Sequence, residues 1–219
     1  MTKTRLPLNR RQFLATGAAA CIGVIAAEAE QLRPFTPFIE LGPFYPVEKP
    51  LDRDADLTLI SGRSERAKGQ IIHVIGRVVT RSGDPVANAA VELWQANSFG
   101  RYNHPADPNP AAIDPNFQGY GIQTTDSDGR FRFKTIKPAG YPAGPDWMRA
   151  PHLHFDIMGK TDRMVSQLFF KDDPLNDQDR VLRAIRSNQE GLFLRQHPQM
   201  PDVEADAIAL SIDFVMFRY

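Results

Sequence analysis

Cysteine is almost absent from this chain of 219 residues, which has only Cys21. An intramolecular disulfide and a metal site of several thiolates are therefore excluded. An excess of charge of either sign is also missing, because 26 basic residues balance 26 acidic ones. This balance gives no argument for a nucleic-acid partner. The longest apolar stretch, residues 15–27, is too short to span a bilayer.

The N-terminus has the pattern of an export signal. Arg10 and Arg11 precede a weakly apolar stretch, which ends at the A-x-A pattern of residues 27–29. We interpret residues 1–29 as a twin-arginine signal peptide, which predicts a periplasmic or extracellular protein. The exact cleavage site and an uncleaved amphipathic N-terminus stay open. Lipidation of Cys21 is disfavoured because Ala18 fits a lipoprotein signal poorly.

The remaining chain predicts an all-β fold with an N-terminal arm. Residues 30–68 are rich in proline and then in charge, without a steady period, and are interpreted as an arm packed on the domain. From there to residue 219, short alternating segments separated by turns predict a catalytic β-sandwich domain. The predicted strands are "IIHVIGRVVT", "AAVELWQA", "FRFKTI", "HLHFDIM", "MVSQLFF" and "IALSIDFVMF". One short helix is predicted over "DQDRVLRAIRS", residues 177–187.

The segment "RAPHLHFDI" contains two of the five histidines. Side chains of a strand alternate between its faces, so His152 and His154 share one face while Leu153 and Phe155 share the other. Two imidazoles side by side are an unusual way to fill a core, and this arrangement is typical of a metal site.

Further ligands are scarce. His73 lies in an apolar strand and is interpreted as a satisfied core or surface histidine, whereas His104 and His197 lie in loops and are expected to be exposed. Tyr102 follows a strand closely, and Tyr141 lies in the glycine- and proline-rich loop "KPAGYPAGP". Taken singly, either tyrosine is more often structural than a ligand.

Four segments in order carry a resemblance: "GRVVTRSGDPVANAAVELWQANSFGRY", "DPNFQGYGIQTTDSDGRFRFKTIKPAGYP", "DWMRAPHLHFDI" and "SQLFFKDDPL". With "GPFYP" in the arm, they resemble the intradiol ring-cleavage dioxygenases over residues 40–219. The subgroup most similar is the iron-bearing β subunits of protocatechuate 3,4-dioxygenases. The H-x-H pattern alone is weak, but its spacing from G-R-Y and K-P-x-x-Y-P is specific.

The resemblance implies a mononuclear non-haem Fe(III) as cofactor. Its ligands would be Tyr102 as the equatorial and Tyr141 as the axial tyrosinate, with His152 and His154. Phenolate oxygen is a hard anionic donor that suits ferric iron, and imidazole also suits iron. Two phenolates and a hydroxide would neutralise the charge of the ion.

The implied reaction is cleavage of a catechol by O₂, between its two hydroxyl-bearing carbons, to a muconic acid. Tyr141 would leave the metal when the catechol binds and take one of its protons. Arg149 would stabilise anionic character on the ring. Gln167 would lie beside an iron-bound histidine and orient the site.

The chain departs from the protocatechuate enzymes in one conspicuous place. Those enzymes have Pro-Trp after the axial tyrosine, whereas Pro142 is followed here by Ala143. The loop before the histidines is also shorter. We therefore expect a catechol other than protocatechuate to be cleaved at least as well. A homo-oligomer or a separate α-type partner subunit stays open.

Two alternatives remain at this point. Transthyretin-like binding modules, which are not enzymes, have strands similar to "GRVVTRSGDPVANAAVELW". A zinc hydrolase could use His152 and His154 with an acid such as Asp156 or Asp146. A ferric tyrosinate protein is burgundy-red, whereas a zinc enzyme or a plain module is colourless.

The export signal can be tested directly. Replacing Arg10 and Arg11 together by lysine should leave the folded precursor in the cytoplasm, because the signal depends on the arginine pair. Cell fractionation measures this. Mature protein that still appears outside the cytoplasm at the normal level would contradict the interpretation.

Overall fold

Strands form where β-branched and aromatic residues alternate with polar ones. The computed structural model describes residues 32–198 and 200–217. Within those ranges it has ten strands, whose bounds are β1 Ile71–Val79, β2 Ala90–Trp94, β3 Tyr120–Thr124, β4 Arg130–Ile136, β5 Tyr141–Gly144, β6 Trp147–Arg149, β7 His152–Met158, β8 Arg163–Phe170, β9 Phe193–Gln196 and β10 Ile208–Val215. The predicted signal peptide lies outside the described residues.

Eight of the strands follow the order β3-β2-β7-β8-β9-β10-β1-β4. Strand β9 pairs with β8 on one side and with β10 on the other, so it joins two halves. One half is β3, β2, β7 and β8, and the other is β10, β1 and β4. Strands β5 and β6 form a separate hairpin. The predicted all-β sandwich is confirmed.

The core lies between the two halves and is aromatic. Phe155 of β7 packs 5.0 Å from Phe214 of β10 and 6.4 Å from Phe133 of β4, measured between ring centroids. All three side chains are fully buried. Complete burial of one such side chain contributes about 1.5–3 kcal/mol to stability. These rings fix the position of β7 within the sandwich.

Both faces of β7 are buried, but against different partners. Leu153, Phe155 and Ile157 belong to the core, whereas His152 and His154 face away from it and are each 2% exposed. The arm covers this second face. Gly42 of the arm has a φ of +76°, and a Cβ there would lie 3.3 Å from Cε1 of His154.

Backbone hydrogen bonds hold the arm in place. The Ile39 amide donates to the Val165 carbonyl at 3.0 Å, and the Leu57 amide donates to the Lys134 carbonyl at 2.8 Å. Residues 32–68 otherwise form turns and bends, with one isolated bridge between Asp56 and Lys134. The boundary of the catalytic domain at residue 69 stays a prediction.

The predicted helix is shorter than expected. Helix α1 spans only Arg180–Ala184. Its N-cap is Asp179, whose carboxylate accepts hydrogen bonds from the amides of Val181 and Leu182. Ile185 is already extended, with φ −73° and ψ 119°, so the helix ends before the apolar stripe is complete. A second short helical segment, a 3₁₀ turn, spans Gln189–Leu192.

The predicted loop around Tyr141 is a hairpin. Tyr141 is the first residue of β5 and pairs with Arg149 of β6. The register shifts between Pro142 and Gly144, which explains why the segment lacks the alternation of a regular strand. The short strands β3 and β9 are not predicted by the alternation pattern of the sequence.

Candidate metal centre

The two histidines of β7 present their Nε2 atoms to the same point. These atoms lie 3.1 Å apart. Nδ1 of His152 lies 2.6 Å from the Ala150 carbonyl oxygen, so Nδ1 carries the proton and Nε2 the lone pair. Trp94, the register partner of His154 on β2, stacks on it at 4.8 Å between centroids. Each imidazole is thus held in one orientation.

Tyr102 completes the contact from the loop after β2. Its Oη lies 3.0 Å from Nε2 of His154 and 3.4 Å from Nε2 of His152. The Tyr102 amide donates to Oδ2 of Asp107 at 2.7 Å, which fixes the backbone of the loop. The side chain is 3% exposed. This tyrosine is therefore built into the cluster.

Tyr141 lies on the other side of Tyr102. The rings are perpendicular with centroids 5.6 Å apart, and the Tyr141 ring is 5.7 Å from that of His152. A hydrogen bond joins the two tyrosine hydroxyls. The structure therefore brings together all four residues that the resemblance implies as ligands.

Burial sets the protonation states of the cluster. It lowers the pKa of His152 and of His154 well below the usual value, and the positive charge of Arg149 lowers both further. Both imidazoles are therefore neutral at pH 7. Burial also raises the pKa of Tyr102 well above its usual value and raises that of Tyr141.

The two phenols are not equivalent. The charge of Arg149 and the hydrogen bond from Tyr102 oppose the effect of burial on the pKa of Tyr141. The same hydrogen bond raises the pKa of Tyr102. A phenolate therefore forms more readily on Tyr141 than on Tyr102.

Arg149 is fixed beside the cluster by a buried network. Its Nε donates to Oδ2 of Asp179 at 2.9 Å, and its Nη2 donates to Oε1 of Gln167 at 2.6 Å. Gln167 in turn donates to the carbonyl of Glu40 in the arm at 3.1 Å. The predicted residues Arg149 and Gln167 thus lie in direct contact with each other.

The donor set fits a metal ion. The Nε2 atoms of two neutral imidazoles and the oxygen of Tyr102 converge on one point, and the buried Nδ1 of His154 has no hydrogen-bond partner among the described residues. Atoms bound at about 2.0–2.1 Å to one ion lie roughly 2.9–3.4 Å apart. The three separations in the cluster, 3.0, 3.1 and 3.4 Å, fall in that range. Two phenolates with two imidazoles favour a hard, highly charged ion.

The zinc-hydrolase alternative lacks its acid. Asp156 is bound by Arg163, whose Nη2 donates to Oδ2 at 2.6 Å. Within residues 32–198 and 200–217, no group of three or more His, Cys, Asp or Glu side chains is positioned to hold a metal. Asp146 is exposed in the turn between β5 and β6.

The other histidines lie outside the cluster. His73 is buried, with Nε2 2.7 Å from Oε2 of Glu204 and Nδ1 3.0 Å from Nη2 of Arg132. Both ring nitrogens therefore have hydrogen-bond partners, as expected. His104 and His197 are half-buried and not fully exposed as expected. His104 packs against Phe44 at 5.8 Å between centroids.

Tyr120 is the tyrosine nearest in sequence to Tyr102 that stays out of the cluster. Burial raises its pKa to about 12, and the Lys49 ammonium lies 5.0 Å from the centroid of its ring. Lys49 forms an ion pair with Glu92 of β2. Tyr120 therefore provides a natural control for variants of the other two tyrosines.

Three residues of the site escaped the sequence analysis. Asp179 binds Arg149 and caps α1, and nothing in its local sequence signals the first role. Phe44 covers Tyr102 at 4.7 Å between centroids. Trp94 could have been found, because alternation along β2 places it on the face opposite to Leu93, next to the histidines.

The chain is similar to known dioxygenases over most of its length. A protein-family profile described as Dioxygenase matches residues 41–217. The protocatechuate 3,4-dioxygenase beta chain of Burkholderia cepacia is 36% identical over 193 residues, covering 84% of this chain and 82% of the relative. Catechol 1,2-dioxygenase 1 of Acinetobacter lwoffii is 33% identical over 164 residues. That match covers 68% of this chain but only 51% of the relative.

Solved structures show the same fold. Catechol 1,2-dioxygenase from Pseudomonas arvilla C-1 superposes with a TM-score of 0.63 at 25% identity, covering 82% of this chain and 61% of the other. An intradiol ring-cleavage dioxygenase from Tetranychus urticae superposes with a TM-score of 0.64 at 19% identity. The match covers 84% of this chain and 95% of the other. These matches do not support the alternative of a transthyretin-like binding module. In the part of the chain that is described, no helix is long and apolar enough to cross a membrane.

The tyrosines can be separated by substitution. If the cluster binds ferric iron, as the resemblance implies, Tyr102→Phe should weaken iron retention, because it removes the phenol oxygen that contacts both imidazoles. Tyr141→Phe should retain more iron, and Tyr120→Phe should match the unmodified protein in iron content and visible spectrum. The iron content per chain and the visible absorption spectrum are measured for each purified variant. Loss of the red band in Tyr120→Phe but not in Tyr141→Phe would contradict the assignment.

Proposed function

The chain belongs to the intradiol ring-cleavage dioxygenase family, and on that premise we propose that it uses Fe(III) and O₂ to convert a catechol-type diol into a muconic acid. One observation carries the proposal: the Nε2 atoms of two imidazoles and the Oη of Tyr102 converge in a buried cluster, with the Tyr141 ring 5.6 Å from that of Tyr102 between centroids. Members of this family are oxidoreductases. The substrate and the metal of this particular chain are the proposed elements.

The donors of the cluster support ferric iron. Phenolate oxygens are hard anions that stabilise Fe(III) over Fe(II), and neutral imidazoles complete the set. When bound, the ion would act as a Lewis acid on the catecholate and as its electron-transfer partner with O₂. Tyr102, Tyr141, His152 and His154 would hold it.

Tyr141 is the proposed base for the substrate. Its ring packs against Tyr102 of the cluster, and the residue also lines the open cavity beside Arg149. A catechol entering through this cavity meets Tyr141 before it meets Tyr102. If a bound ferric ion holds Tyr141 as a phenolate, this phenolate would take a proton from one catechol hydroxyl and move aside as a neutral phenol. Tyr102 stays in place because the loop around Asp107 holds it.

Arg149 stabilises negative charge on the bound ring. Arg149 is only 6% exposed, and it lines the cavity next to Tyr141. A cation in a dry site acts strongly on developing charge. Asp179 and Gln167 hold it in a fixed direction, so no reorganisation is needed during the reaction.

Aromatic side chains keep bulk water from the ligands. Phe44 packs on Tyr102, and Trp94 stacks on His154. The arm thus closes the face of β7 that carries the histidines. Exclusion of water strengthens the electrostatic effect of Arg149 and protects reactive intermediates.

We also propose that the enzyme works outside the cytoplasm. The motif around Arg10 and Arg11 supports this location, and that segment lies outside the described residues. Proteins on the twin-arginine route cross the membrane folded, which suits an enzyme loaded with its metal beforehand.

The decisive experiment for the proposed function follows the oxygen atoms. Iron-loaded protein is incubated with catechol under ¹⁸O₂, and the product is identified by mass spectrometry. A muconic acid that contains both labelled atoms is expected. A ring cleaved beside the diol, a quinone product, or no oxygen uptake with any catechol would contradict the proposal.

The kinetics of Tyr141→Phe test whether Tyr141 is the general base. Loss of a general base typically costs about 10²–10⁴-fold in rate. We expect kcat/KM for oxygen uptake to fall within that range, with Tyr120→Phe as the unchanged control. Equal rates for Tyr141→Phe and the unmodified protein would exclude Tyr141 as the base.

A further inference from the structure

A cavity of about 530 Å³ opens beside the proposed metal ligands. Tyr141 and Arg149 line it, so a catechol whose diol end reaches the ligands would place the rest of its ring here. Most of its wall is apolar and comes from the arm, the Tyr102 loop and the β5–β6 hairpin. The apolar lining residues are Pro43, Phe44, Pro108, Pro142, Ala143 and Trp147.

Trp147 supplies the largest side chain of the hairpin to this wall. It opens β6 and pairs with Gly144 across the turn. Ala143, on the facing strand, is small and exposed. The guanidinium carbon of Arg180 lies 5.6 Å from the centroid of the indole, which is a cation–π contact. The indole is therefore supported from α1 while it faces the cavity.

The charges at the cavity disfavour an anionic ring substituent. Arg149 is the one cation among the described residues that line it, and its charge is paired with the buried carboxylate of Asp179. The other charged lining residue is Asp107, whose carboxylate is fixed by the amides of Tyr102 and Asn109. A carboxylate on the substrate would thus lie near Asp107, and the one cation of the lining is already paired with Asp179.

We propose that Trp147 selects the ring substituent, and that the cavity takes catechols with an uncharged, apolar substituent ahead of those with a carboxylate. This inference rests on the proposed function, because it assumes that the diol binds at the four-residue cluster. The indole packs against the substituent, and the apolar wall replaces the water around it.

The test measures a selectivity ratio. Oxygen uptake gives kcat/KM for 4-tert-butylcatechol, catechol and protocatechuate with the iron-loaded full chain. The unmodified protein should prefer 4-tert-butylcatechol to protocatechuate. Trp147→Ala should lower the ratio of 4-tert-butylcatechol to catechol by about tenfold, mainly through KM, since a hydrophobic pocket discriminates apolar groups by roughly 10–200-fold.

Two further variants make the test specific. Trp147→Phe keeps an aromatic wall and should restore most of the ratio. Met148→Ala, on the same strand but outside the lining, should leave the ratio unchanged. Iron content and thermal unfolding of each variant establish that the fold and the metal site are intact.

The possible failures are distinguishable. Protocatechuate as the preferred substrate, or Trp147→Ala and Trp147→Phe that change all substrates by the same factor, would overturn the role of Trp147 while leaving ring cleavage in place. The absence of oxygen uptake with every catechol would overturn the proposed function and this inference together.

Discussion

Burial of both faces of β7 is the constraint on which the site depends. One face packs Leu153 and Phe155 into the sandwich core, and this packing fixes the strand. The alternation of side chains then forces His152 and His154 onto the opposite face. The arm covers that face, with Gly42 allowing the backbone to approach His154 closely. Both imidazoles are therefore buried, neutral and held in fixed orientations. Neutral imidazole is the form that binds a metal ion.

The buried ion pair of Arg149 and Asp179 connects this site to the rest of the fold. Asp179 is fully buried, accepts from Arg149 and from the Ala150 amide, and also caps α1. Removing one partner of a buried pair typically costs about 3–5 kcal/mol, because the other charge is left uncompensated. The Asp179 carboxylate thus stabilises the fold and also holds Arg149 in place. The charge of Arg149 lowers the pKa of all four proposed metal ligands.

Much of the site could be predicted because its signals are local. The H-x-H spacing needs only the geometry of a strand, and the tyrosines follow from their spacing within the resemblance. Asp179 could not be predicted in this way, because it lies 30 residues from Arg149 in sequence and meets it only in the folded chain. The β5–β6 hairpin was missed because proline and glycine at its register shift hide the strand pattern. Helix α1 was overestimated because its apolar residues continue past Ala184 while its backbone does not.

Iron anomalous diffraction would locate the metal directly. A crystal of the iron-loaded protein would be measured above and below the iron absorption edge. We expect one anomalous peak per chain, within bonding distance of Oη of Tyr102 and Tyr141 and of Nε2 of His152 and His154. A peak bound by other side chains, or no iron peak at this cluster in an active preparation, would contradict this expectation.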